Sequence, residues 1–103
     1  MLLVDARCTI VPERERDFII EVEKIIPLVL REAGCTRYEL VADINVPGVF
    51  HFIEEWKSQT DLDVHILQPH MQEYFAKTAE CHSAPSRMTI YDVGSSRSMT
   101  IPE

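Results

Sequence analysis

From Val49 to Lys57 the large apolar residues fall on alternate positions, and this run constrains the fold more than any other stretch. Period two puts Phe50, Phe52, Glu54 and Trp56 on one side of a strand and His51 and Ile53 on the other. Asn45-Val46-Pro47-Gly48 is turn chemistry, and Cys35 to Ile44 before it reads as another strand, so an antiparallel hairpin is the expected pairing. Leu2 to Val11 also alternates, with Val4, Ala6, Cys8 and Ile10 on one face, and Met88 to Val93 reads as a last strand. Two other stretches carry helical spacing instead. Pro12 suits a helix start, and Phe18, Val22, Ile25, Ile26 and Val29 then form one apolar stripe ending at Gly34. Pro27 lies inside that helix and should bend it near Glu23 to Pro27. Ser58 is placed to cap a second helix in which Leu62, His65 and Ile66 share a face. Pro69 interrupts it, and His70 to Cys81 continues with Met71, Tyr74, Phe75 and Ala79.

This order, βαββαβ, predicts an α+β ferredoxin-like fold with a four-stranded antiparallel sheet. Strands one and three are expected to form a right-handed crossover with the first helix between them. Residues 1–94 are read as the domain, and 95–103 as a polar tail in which Met99-Thr100-Ile101 would contact a partner. Helices cover one sheet face. The other presents Leu3, Arg7, Glu39, Val41, His51, Ile53 and Tyr91, too apolar for a plain solvent face, so a homodimer packed sheet to sheet is expected. At 103 residues the chain leaves much of its surface unburied, and association is one remedy.

Charge narrows the partners. Ten Lys and Arg against 17 Asp and Glu give a formal charge of -7, which argues against nucleic acid and against an anionic membrane surface. No apolar run approaches the length of a bilayer crossing. Asp5 falls where a signal peptide would continue its apolar core, so a cytoplasmic location is expected. The three cysteines, Cys8, Cys35 and Cys81, lack zinc spacing and are read as free thiols. Cys8, though inward, is read as inert core, because reactivity needs a lowered pKa. Gly34, Gly48 and Gly94 are the only glycines, so no glycine-rich phosphate loop exists and nucleotide cofactors are disfavoured.

The chemistry concentrates on the inward face. Glu54 is carried in with Phe50 and Phe52, Tyr38 lies on the inward side of its strand, and His65 is aimed at the sheet by Leu62 and Ile66. A carboxyl, an imidazole, a phenol and the Trp56 indole would then converge in an apolar cavity, the usual mark of a small-molecule site. The competing reading makes His65 a satisfied core histidine and gives Glu54 a bond to Tyr38 or to backbone amides. His65 and His70 are five apart across Pro69, which is not the one-face spacing of paired metal ligands, and no metal is expected.

The stretch from Glu32 to Phe75 resembles the antibiotic-biosynthesis monooxygenase family, a group of dimeric α/β-barrel proteins. The residues that carry the resemblance are Gly34-Cys35-Thr36-Arg37-Tyr38-Glu39-Leu40, Phe52-Ile53-Glu54-Glu55-Trp56, Leu62-Asp63-Val64-His65 and Pro69-His70-Met71. The resemblance implies a monooxygenase that needs no cofactor and acts with dioxygen on a quinol or other phenolic small molecule. His65, Glu54 and Tyr38 would be catalytic, with His65 the base and Glu54 its orienting partner or an alternate base. Phe52, Trp56 and His70 would bind substrate. The family also implies two alternatives, an isomerase of a phosphorylated sugar-like signal using the same Glu/His pair and a haem-degrading enzyme. Haem degradation is disfavoured because strand one has Asp5, Arg7 and Thr9 where those enzymes use an asparagine. The isomerase would have to hold its phosphate with Lys24 or Arg31. A non-catalytic small-molecule binder is a further reading.

Overall fold

A computed structural model of the chain describes residues 1–102. Four strands and three α-helices follow in the order β1 (Leu2–Thr9), α1 (Glu15–Val29), β2 (Cys35–Ala42), β3 (Val49–Trp56), α2 (Gln59–Ile66), α3 (Pro69–Thr78) and β4 (Arg87–Asp92). Single 3-10 turns at Pro12–Arg14 and Ala79–Cys81 flank the first and last helices. The sheet order is β2-β3-β1-β4 and every neighbouring pair is antiparallel, which is the ferredoxin-like arrangement.

The crossover expectation needs correcting. β1 and β3 are antiparallel neighbours, so no crossover can join them. β2 is also antiparallel to β3, which makes β1 and β2 mutually parallel, and α1 carries the chain between those two strands.

Strand ends fall short of the alternating pattern because loops take their hydrogen bonds. The Ile10 amide donates to the Gly48 carbonyl and the Val11 amide to the Cys81 carbonyl, so β1 stops at Thr9. β2 stops at Ala42 because the Asn45 amide donates back to the Asp43 carboxylate, closing a turn built on the side chain. Helix α1 runs through Pro27 to Val29, although Pro27 has no N–H for the carbonyl of Glu23. Its buried stripe is Phe18, Val22, Ile25 and Val29. Ser58 caps α2 as expected, accepting from the Asp61 amide. Pro69 occupies the first turn of a separate helix, where its missing N–H is harmless.

Rows of paired residues cross the sheet on its helix side. Tyr38, Glu54, Val4 and Ile90 form one row, and Leu40, Phe52, Ala6 and Met88 form the next. The core is packed from Leu2, Val4, Phe18, Val22, Val29, Phe50, Trp56 and Leu62, all buried. At the β2 edge the helices reach less far, so Leu40 is half-buried and Ala42 exposed. On the helix-free face Val41 and Tyr91 are 44% and 52% exposed. Asp5 and His51 pair there at 2.7 Å.

Gly34 fixes the loop between α1 and β2. Its φ of +85° is one that side chains disfavour, and a Cβ there would lie 2.2 Å from the Asp61 carboxylate at the start of α2. Gly34→Ala therefore combines backbone strain with a clash, and we expect a loss of about 2 kcal/mol in chemical denaturation. Unchanged stability would mean that the loop repacks freely.

Candidate active site

Between the sheet and the last two helices lies a cavity of about 360 Å³ whose wall is largely apolar. Tyr38, Phe52 and Glu54 line it from the sheet, His65 and Ile66 from α2, and Met71, Tyr74 and Phe75 from α3. Alternation in β3 brings Glu54 inward with its aromatic neighbours, so it is only 2% exposed. One Glu54 oxygen accepts from the Trp56 indole N–H at 2.8 Å. Burial pushes the Glu54 carboxyl up to about 7, the Trp56 hydrogen bond works against that rise, and the Glu32 carboxylate adds to it.

His65 meets the sheet as expected and is 3% exposed. Its ring packs on Trp56, with centroids 4.6 Å apart, and meets Tyr38 edge-on at 5.5 Å. Its hydrogen-bond partner is not Glu54. Nδ1 lies 2.9 Å from Oε2 of Glu32, and His70 Nε2 lies 2.8 Å from the same oxygen. Burial lowers the His65 pKa and the Glu32 hydrogen bond only partly restores it, so the ring is neutral near neutral pH. A neutral ring that donates from Nδ1 keeps its lone pair on Nε2. Among the described residues no buried side-chain nitrogen or oxygen lacks a hydrogen-bond partner. Nε2 makes no hydrogen bond among the described residues, and His65 is one of the residues that line the cavity.

Burial raises the Tyr38 hydroxyl well above its usual range, with Glu54 reinforcing the rise, so it stays a hydrogen-bond donor. Cys8 also lines the cavity, but burial pushes its thiol up to about 11, which leaves it a poor nucleophile.

The site thus differs from the sequence expectation in three places. Glu54 does not orient His65, because Trp56 holds its oxygen and Glu32 holds the imidazole. Trp56 is fully buried behind the cavity wall, where it supports His65 and Glu54 and cannot stack on a ligand. His70 is absent from the cavity lining; it bonds Glu32 and lines two surface depressions instead. Two residues went unseen in the sequence. Glu32 lies in the loop after α1, where no periodicity aims a side chain, and its one available signal was its place two residues before Gly34. Arg87, at the start of β4, edges the cavity and is the one Lys or Arg in its lining among the described residues, and His82 lines it too.

A small ferredoxin-like domain with an apolar cavity holding a near-neutral carboxyl and a neutral imidazole has the features of a small-molecule site. The profile of the family described as Antibiotic biosynthesis monooxygenase matches residues 1–77, and the chain belongs to that family. The Bacillus subtilis (strain 168) protein named "Putative monooxygenase YcnE" is 27% identical over 85 residues, which span 82% of this chain and 90% of the relative. The Escherichia coli (strain K12) protein named "Probable quinol monooxygenase YgiN" is 36% identical over 59 residues, 50% of this chain and 57% of its own length. The crystal structure of a conserved protein from Methanosarcina mazei Go1 superposes with a TM-score of 0.84 at 30% identity, covering 87% of this chain and 89% of that one.

Proposed function

We propose that the protein is a cofactor-independent monooxygenase acting with dioxygen on a quinol or related phenolic molecule. The observation that carries this reading is the apolar cavity into which His65, Glu54 and Tyr38 converge. Triplet dioxygen reacts slowly with closed-shell molecules, but an electron-rich carbanion or phenolate can give it one electron. The protein then has to make the anion and exclude water around it. His65 Nε2 takes the proton, Tyr38 donates a hydrogen bond to the substrate oxygen, and Phe52 packs on the ring. Glu54 near 7 can return a proton to a leaving oxygen or serve as a second base. For a quinol the balance closes without an outside reductant. One atom of O₂ replaces a ring hydrogen as a hydroxyl, the quinol gives up two electrons and two protons to become the hydroxyquinone, and the other oxygen atom leaves as water. For an anthrone-type ring CH₂, one atom of O₂ becomes the new carbonyl oxygen, and the other leaves as water with the two hydrogens.

The name of the Escherichia coli relative supports a quinol as substrate. The isomerase alternative is less well supported, since Lys24 and Arg31 lie outside the cavity and Arg87 alone could meet a phosphate. Oxygen uptake with a panel of quinols and anthrones, with and without a chelator, tests the reading. Uptake that survives chelation is expected, and no uptake on any of them would end it.

The same proposal includes a homodimer formed through the helix-free face, where Val41 and Tyr91 stand exposed beside half-buried Leu3 and Ile53. Met99 and Ile101, exposed in the tail, would then cover the partner's sheet edge. Sedimentation at micromolar concentration should give a dimer, and a chain ending at Gly94 should dissociate more readily. A monomer in the first measurement would refute the pairing.

Among the described residues, no helix is long and apolar enough to cross a membrane.

A further inference from the structure

Resting on that reading of the cavity, we propose that Glu32 is the positioning residue of the site. Its carboxylate holds His65 in the tautomer that aims a bare Nε2 at the substrate, and His70 is a second donor that holds the carboxylate in place.

Glu32 does not line the cavity, so it acts through His65. Its side chain is 8% exposed, and Oε2 receives two imidazole donors from two different helices at 2.8 and 2.9 Å. A buried carboxylate with hydrogen bonds to both histidines has little freedom to move. It also lies beside His65 Nδ1, where it can stabilise the imidazolium that forms when Nε2 takes a proton, which is how a carboxylate supports a histidine base elsewhere. His70 differs in kind from His65. Its side chain is 21% exposed and it faces surface depressions, so it anchors Glu32 without entering the chemistry. The titratable or charged groups around the pair are Cys35 and Tyr38 on β2, Glu54 on β3, Asp61 on α2, His70 on α3, and Arg31 beside Glu32. None of these six takes a hydrogen bond from His65, whose Nδ1 is held by Glu32.

Nitrogen-15 NMR on histidine-labelled protein tests this without any substrate. In the wild type His65 should carry its proton on Nδ1, with Nε2 bare; the opposite tautomer would overturn the proposal at once. Glu32→Gln should lose that preference and titrate His65 at lower pH, since the imidazolium loses its counter-charge, whereas Glu32→Asp should recover part of both. His70→Gln, which keeps an N–H for Glu32, should leave the tautomer as it is. With a quinol that supports uptake, Glu32→Gln should lower kcat on the order of 10–100-fold with KM little changed, the scale for removing a group that orients another. An unchanged His65 tautomer and midpoint in Glu32→Gln would refute the positioning role whether or not turnover is seen. The expected NMR result with no uptake in the wild type would leave the role standing and remove the oxygenase reading.

Discussion

Replacing His65 by Ala should lower quinol turnover by at least ~100-fold, the usual scale for deleting a general base. Two imidazoles line the cavity, and of these His65 is the one packed between Tyr38 and Trp56 beside Glu54, whereas His82 lies by Phe18 and Ser86. Glu54 is nearest in role, but its oxygen is tied to the Trp56 indole. Ala would also leave Glu32 buried with a single donor and expose a face of Trp56, so a fall in stability has to be separated from a fall in rate. His65→Gln provides that separation, because its amide can still donate to Glu32 while lacking a basic nitrogen. Both variants should lose turnover at saturating quinol, and His65→Gln should keep the wild-type unfolding midpoint more closely. Retention of activity within a few-fold in folded His65→Gln would show that the base lies elsewhere.

The second large effect is on stability and concerns Glu54. Its pKa in the folded protein, about 7, lies above the ordinary 4.5, so the fold binds this proton more tightly than the unfolded chain does. The resulting stabilisation is complete below about pH 4.5 and disappears as pH rises through about 7. Roughly 3 kcal/mol is involved, at 1.36 kcal/mol for each unit. His65 works in the opposite sense, because its lowered pKa removes stability as pH falls below 6.5. Glu54→Gln keeps an acceptor for Trp56 and leaves His65 in place, so subtracting the two denaturation curves isolates the carboxyl. Wild type should lose stability relative to Glu54→Gln between pH 5 and 8. A flat difference would mean that Glu54 ionises freely in the fold. The functional corollary is a carboxyl that can both give and take a proton at neutral pH.

Most of the scaffold was legible because alternation and helical spacing are local properties. Once Phe50, Phe52 and Trp56 are assigned to the core, Glu54 must follow them inward, and the structure buries it. His65 was legible for the same reason, carried to the sheet by Leu62. What period could not give was rotation about the side-chain bonds. The expected contact between Glu54 and His65 is replaced by two others, since the Trp56 ring packs on His65 and turns its N–H to Glu54. Glu32 was illegible because a residue in a loop has no repeating direction, and its aim depends on how Gly34 folds that loop against Asp61. The crossover was misassigned for a related reason. Strand pairing is a long-range choice, and the local pattern of each strand is compatible with several orders.

Pro69 has a consequence beyond ending one helix and starting the next. On a continuous α-helix, positions five apart point about 140° away from each other, so His65 and His70 could never address one oxygen atom. Breaking the helix after Ile66 lets the chain change direction before His70, and both rings then arrive at Glu32 from different axes. A variant that fused α2 and α3 into one rod could keep every buried apolar contact of α2 and still pull the two imidazoles apart. The proline is thus an angular device, setting the directions from which the two rings approach a single acceptor.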